Sequence, residues 1–240
     1  MFLILGAAGS GRREVLADLI GEGLVEGDRP AVLLSAGEEP GPLDAGLPGV
    51  ARWSLGDDGA FEADLPGDAT HVFIVADGRR NPVDQIEALK TWLADRAADM
   101  ALVLCVVDCR LAEKHPKLFA WFEACIYFSD VVLLNHREGV PNKWVGDFRE
   151  KFTGKFYPCL FEHVKEGRVK NPSLVLAPVA RRMSHVFDEQ EWIVADDEDE
   201  DSDDDVEMKP EEDPYFERRN GGRRVHEIPN IADFLPGPGA

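Results

Sequence analysis

Cysteine is scarce in this chain of 240 residues, and no two of its four cysteines stand two residues apart. Cys105, Cys109, Cys125 and Cys159 all lie among apolar neighbours. Cys105 and Cys109 fall on a strand-like run, where residues four apart share a face at about 13 Å, too far to grip one ion. A zinc site built on these residues is not expected; buried free thiols in a reducing compartment are. Long apolar runs are missing too: none reaches the roughly 18 residues of a spanning helix. Met1 leads straight into strand-like residues 2–5 with no basic stretch before them. Neither a membrane span nor a signal peptide is expected, and the chain reads as cytoplasmic. Positive charge is in deficit, 26 Lys and Arg against 46 Asp and Glu, for a net −20. Such a surface repels DNA and RNA, which removes nucleic acid from the expected partners. No internal repeat is present, and the acidic run has no Asp/Asn-rich loop closed by glycine, so a defined calcium site is not expected there.

The acidity is local. Residues 196–213 hold thirteen acids and one lysine, which is −12 of the −20, and the other 222 residues are near −8, ordinary for a soluble domain. The hydrophobic content of 44% supports a real core. Residues 1–180 alternate between strand and helix patterns. Strands are expected at 2–5, 30–35, 71–76, 101–107, 131–134 and 155–160, with a short edge strand at 50–55. Helices are expected at 12–21, 82–96, 114–128 and 143–152, and a Gly/Pro loop at 38–49. Short continuous apolar strands separated by helices indicate an α/β fold, a parallel sheet flanked by helices, with ligands at the carboxyl ends of its strands. Residues 181–195 are a transition. Residues 196–213 read as a disordered acidic linker. Residues 214–240 regain aromatic and aliphatic side chains, as a peptide that docks on the parent domain or on a partner would.

The first strand runs into Gly6-Ala7-Ala8-Gly9-Ser10-Gly11-Arg12-Arg13. A phosphate-binding loop reads GxxxxGK and then Ser or Thr, and Gly6 and Gly11 stand at its two glycine positions, with Gly9 between them. Backbone N–H groups in such a loop, with the helix start behind them, cradle an anion. Arg12 replaces the lysine that reaches the terminal phosphates. Arg13 replaces the hydroxyl that holds Mg²⁺ and puts a cation there instead. A tight turn with no ligand gives the same glycine spacing. Three further stretches follow: residues 71–83, with Asp77, Gly78 and Pro82; Val106-Val107-Asp108-Cys109; and Ser129-Asp130, followed after the strand by Asn135-His136-Arg137-Glu138.

Taken in order over residues 1–165, these four resemble the CobW-like GTPase domain of the metallocentre-assembly G proteins, a P-loop NTPase fold of the SIMIBI kind. Gly78 and Pro82 match the family's second element, Val75 stands in place of its magnesium-associated glutamate, and Asn81 in place of the acid before proline. Val106-Val107-Asp108-Cys109 matches its VVDA. Asn135-His136-Arg137-Glu138 stands at its guanine-reading NKxD. The resemblance implies GTP or GDP as ligand, held by Gly6, Gly9, Ser10, Gly11, Arg12 and Arg13, with Asn135 at the base. His136 would stack on the base, and Glu138 would accept its N1 and N2 hydrogens one methylene further out than aspartate. The alternative is a polar loop after a strand. The family's CxCC metal signature has no counterpart here: residues 50–58 carry Ser54, Leu55 and Asp58 but no cysteine.

The lysine, the magnesium hydroxyl and the magnesium-linked glutamate are absent together. Phosphoryl transfer is mostly positioning and charge stabilisation by such groups. The leading expectation is therefore a degenerate guanine-nucleotide-binding domain that needs no Mg²⁺, does not hydrolyse, and works as a nucleotide-sensing or protein-binding module, a pseudoenzyme with no catalytic or metal residue. A protein partner would meet the acidic tail or residues 214–240. The tail could also lie over Arg12 and Arg13 as an internal anion. The alternatives are an active, divergent GTPase assisting metal delivery and a small-molecule kinase of the same fold class. Asp77 and Asp108, at strand ends, either touch a ligand or cap a turn or helix.

Overall fold

Alternation along the first strand explains how the sheet is covered. The computed structural model describes residues 1–188 and 213–237. In β1 (Phe2–Gly6), Phe2 and Ile4 join the apolar face of α1 (Arg12–Gly23), which consists of Val15, Leu16 and Leu19. Leu3 and Leu5 point the other way. They meet Ile86 and Leu89 of α2 (Pro82–Ala94) and Phe122 and Ile126 of α4 (Phe119–Tyr127). Burying each such aliphatic side chain contributes about 1.5–3 kcal/mol. The two faces form separate clusters with the sheet between them.

The remaining strands are β2 (Pro30–Ser35), β3 (Val50–Leu55), β4 (Phe61–Ala63), β5 (His71–Val75), β6 (Leu102–Asp108), β7 (Val131–Asn135), β8 (Leu160–Lys165) and β9 (Arg168–Val169). The remaining helices are α3 (Cys109–Lys114), α5 (Asn142–Thr153) and α6 (Pro172–Val175). Spatial order is β4-β3-β2-β5-β1-β6-β7-β8-β9. Every pairing from β3 to β8 is parallel, and the outermost strands β4 and β9 pair antiparallel. The fold class expected from the sequence is the one found.

Three local expectations are corrected. The strand at 50–55 is not an edge, because Phe61–Ala63 pairs outside it. The helix expected at 114–128 is a 3₁₀ turn, Pro116–Leu118, followed by α4, and a separate helix, α3, ends at Lys114 before it. Proline lacks the N–H a helix needs and forces the residue before it out of the helical region; His115 has φ −124° and ψ 77°. The last strand begins at Leu160 rather than 155, since Phe156 turns the chain with φ 60°.

Residues 213–237 lie across α2 and the end of α4 as a strap. Phe216 stacks on Phe128 with ring centroids 5.9 Å apart, and Ile231 is buried. Arg224 reaches Asp84 and Glu87, each at 2.6 Å. Ser184 donates to Asp213 at 2.5 Å at one end of the strap, and Arg79 donates to the Pro236 carbonyl at 2.9 Å at the other. Of the acidic linker expected at 196–213, all but Asp213 lies outside the described residues, as do 189–195 and 238–240, and Asp213 itself belongs to the strap. Arg224→Ala is expected to loosen the strap. Asp84 and Glu87 are 52% and 36% exposed, which discounts the ion pairs to about 1–2 kcal/mol. Limited proteolysis checks this: cutting within 213–237 should accelerate, and unchanged cutting would mean that Phe216 and Ile231 hold the strap unaided.

Candidate anion-binding site

The carboxyl ends of five parallel strands converge on the glycine loop. β1 delivers the loop itself, β2 leads to Glu38, β5 to Asp77 and Gly78, β6 ends at Asp108 and β7 at Asn135. Gly6, Gly9 and Gly11 have φ of 138°, 80° and 87°, so the backbone follows a path that other residues adopt only at a cost. Gly11 precedes the helix directly. A Cβ there would stand 2.3 Å from Asn135 Nδ2 and 3.6 Å from His136 Nε2. Asn135 Nδ2 donates to the Ser10 carbonyl at 2.9 Å, which ties the end of β7 to the loop. Ala8 N–H is taken by the Gly78 carbonyl at 3.0 Å and Ser10 N–H by the Ala7 carbonyl at 3.1 Å. The N–H groups of Gly9, Gly11, Arg12 and Arg13 meet no acceptor among the described residues. Those four groups, at the start of a twelve-residue helix, fit an anion. Ser10 is fully buried, and its hydroxyl has no partner among the described residues.

The fold is a mostly parallel α/β sheet covered by helices, with the glycine loop between its central strand and a covering helix. No protein-family model matches the chain, and no curated protein matches it. Among solved structures the chain is similar to the Zn(II)-bound YjiA GTPase from E. coli, at 13% identity and a TM-score of 0.40. It is also similar to a Zn(II)-bound triple mutant of YjiA GTPase, at 16% identity and a TM-score of 0.42. Each match covers 75% of this chain, which spans 65% of the length of those structures.

At this loop the two arginines do not point into open solvent. Arg12 is 4% exposed along its side chain and donates to the Ala76 carbonyl and, at 2.5 Å, to Glu38 Oε1. Arg13 approaches Glu38 Oε2 at 3.4 Å and Asp44 at 3.2 Å, and donates to the Glu39 carbonyl at 3.1 Å. Asp44 also accepts from Arg52 at 3.1 Å. Burial alone would raise the Glu38 pKa, but Arg12 beside it, the Gly78 N–H and Arg13 together hold its carboxyl below the ordinary value. Glu38, Asp44 and Arg52 belong to this cluster and escaped the sequence reading. The signal that could have found Glu38 was the pair of acids in the loop after a strand, at the sheet end where the two arginines of the glycine loop also lie.

Asp77 and Asp108 turn out to serve as caps. Asp77 accepts from the Arg79 N–H at 2.9 Å and from the Ser35 hydroxyl at 3.3 Å, and Gln85 clamps the Asp77 backbone N–H at 2.7 Å. Asp108 caps α3 through the Leu111 N–H at 2.9 Å and holds His136 Nδ1 at 2.8 Å. His136 has φ 49°, unusual for a residue with a side chain. The hydrogen bond to Asp108 raises its pKa, burial pulls the other way, Arg110 opposes and Glu138 assists. Glu138 has no hydrogen bond to the loop among the described residues. It is 63% exposed and takes Arg110 at 3.0 Å. The structure thus gathers Gly6, Gly9, Ser10, Gly11, Arg12, Arg13, Asn135 and His136 around the loop and leaves Glu138 at the rim.

All four cysteines are buried free thiols. Burial pushes Cys109 and Cys159 up to about 12, which keeps both as inert thiols at neutral pH. No three His, Cys, Asp or Glu side chains among the described residues converge as a metal site requires. No described helix is long and apolar enough to cross a membrane.

Proposed function

We propose that the glycine loop binds the phosphates of a guanine nucleotide without Mg²⁺ and without hydrolysing it, so that the protein works as a nucleotide-sensing or protein-binding module. One observation carries this reading: four unpartnered N–H groups at the loop and helix start, with Asn135 fixing the loop from β7. The magnesium position supports the second half. Arg13 stands there, and the carboxylates it touches, Glu38 and Asp44, already face Arg12, Arg13 and Arg52. A divalent cation would have to displace guanidinium groups from both. At the base, His136 offers a ring held by Asp108 for stacking, and Glu138 must release Arg110 before it can accept a guanine hydrogen.

Calorimetric titration of GTP, GDP and ATP, each with Mg²⁺ and with EDTA, tests the reading. Guanine-selective binding that persists in EDTA, with no phosphate released in Mg²⁺, is expected. Phosphate release would replace it with an active GTPase, and no binding to any nucleotide would end it. The same titration carries a pH dependence. His136 has a raised pKa, so its charge is fully present below the ordinary value near 6.5 and is lost as pH rises through the higher folded value. GDP affinity should therefore fall with rising pH. A cationic ring stacked on the base is worth about 1 kcal/mol, or roughly fivefold. His136→Gln should flatten the profile; an unchanged profile would remove His136 from the site.

A further inference from the structure

Glu38 places a carboxylate, already held by donors, at the turn that seats the glycine loop. Its carboxylate is 10% exposed. Oε1 accepts the Arg12 guanidinium at 2.5 Å and the Gly78 N–H at 2.7 Å, and Oε2 faces Arg13 at 3.4 Å. The donors come from two elements, the first turn of α1 and the turn after β5, while the carboxylate comes from a third, the loop after β2. Two guanidiniums and a backbone N–H around oxygen atoms form a set that suits a phosphoryl group as well as a carboxylate. Gly78 is packed on the glycine loop itself: its carbonyl receives Ala8 N–H at 3.0 Å. The socket and the N–H cradle are therefore neighbours, separated by the thickness of one loop.

We propose that Glu38 is a built-in competitor for a phosphoryl group of the ligand, and that residues 36–46 form a plug that must leave before Arg12, Arg13 and the Gly78 N–H can receive it. The proposal rests on the phosphate reading above and states how that same site is regulated. Besides main-chain bonds at its start, such as Ala36 N–H to the Trp53 carbonyl, the plug is held by three arginine contacts that would break together: Arg13 to the Glu39 carbonyl, Arg13 to Asp44, and Arg52 to Asp44. Its opening also has a route outward. Gly78 precedes Arg79, whose guanidinium donates to Pro236 of the C-terminal strap. A ligand that takes the Gly78 N–H from Glu38 acts on a turn that the strap also holds.

A plug lowers apparent affinity by the fraction of molecules in which it is open. Pyrophosphate in EDTA is the probe, because it carries phosphoryl groups with neither base nor metal. Glu38→Gln keeps the shape and removes the charge, and it should bind pyrophosphate about tenfold more tightly than the unaltered protein if the open state is populated in about one molecule in ten. Pyrophosphate should also raise the melting temperature of Glu38→Gln more than that of the unaltered protein, since it replaces the lost partner of Arg12. In the unaltered protein, saturating pyrophosphate should expose residues 36–46 to limited proteolysis, a readout that does not depend on the variant folding. Equal pyrophosphate affinity in the two proteins, or protection of 36–46 on binding, overturns the plug and leaves the phosphate reading standing. Binding of neither pyrophosphate nor any nucleotide to either protein overturns both.

Discussion

Asp130→Ala should cost this protein about 3–5 kcal/mol of stability, the largest single loss we expect outside the apolar core. Asp130 is fully buried at the start of β7. Its Oδ2 accepts the Val103 N–H of β6 at 2.7 Å, and its Oδ1 the Arg181 N–H at 2.6 Å. Arg182, 4% exposed, places Nη1 at 3.1 and 3.3 Å from the two oxygens. Alanine would strand two backbone donors and most of the charge of a buried guanidinium, which Asp188 at 2.5 Å compensates only in part. Asp130→Asn keeps an acceptor for Val103 and should lose less. Urea denaturation with unchanged slope measures both, and a loss under about 1 kcal/mol for the alanine variant would show that water replaces the carboxylate. The sequence reading placed Ser129-Asp130 in the approach to a guanine-reading motif. The side chain instead joins β6, β7 and the chain beyond β9, and the motif's exposed end is held by Arg110.

Gly78→Ala is expected to abolish ligand binding at the glycine loop while leaving the protein folded. A Cβ at Gly78 would stand 2.2 Å from the Ala8 nitrogen and 2.6 Å from the Ala7 carbonyl carbon. Both are backbone atoms, which cannot rotate out of the way as a side-chain tip can. The loop and the turn after β5 must separate, and the Ala8 N–H to Gly78 bond and the Gly78 N–H to Glu38 bond go with them. Overpacking of this kind costs about 1–3 kcal/mol. Gly67→Ala, where a Cβ meets nothing within 4 Å, is the matched control. Calorimetry with pyrophosphate on both variants decides: retained binding in Gly78→Ala would show that the loop works without its seat on the turn.

Most of the sheet was legible because its central strands are unbroken apolar runs. Residues 30–35 and 102–107 could hardly be anything else once glycine and helical periods bracket them. β8 was misplaced because LFEHVK mixes acid, histidine and lysine with aliphatics on a strand buried mainly at Val164. β4 and β9, of three and two residues, are shorter than any periodicity can register. At the site, each departure from the phosphate-loop pattern could be read residue by residue. What the arginines do could not. Arg12 lies 26 positions from Glu38, and only the parallel crossovers bring the end of β2 to within one strand, β5, of the end of β1. The strap was legible as sticky sequence, while its anchor Arg224 depended on where α2 presents Asp84 and Glu87.

The two outermost strands have a consequence for how this protein meets others. A sheet with long bare margins invites a further strand, from a peptide or from a second copy. Here both margins end in a short antiparallel hairpin arm, Phe61–Ala63 on one side and Arg168–Val169 on the other. The arms pair with Trp53–Leu55 of β3 and with Val164 and Lys165 of β8, so a visiting strand would find only three or four bare residues on each margin. The broader surfaces for association are side chains on the helical faces and at the strand ends beside the glycine loop.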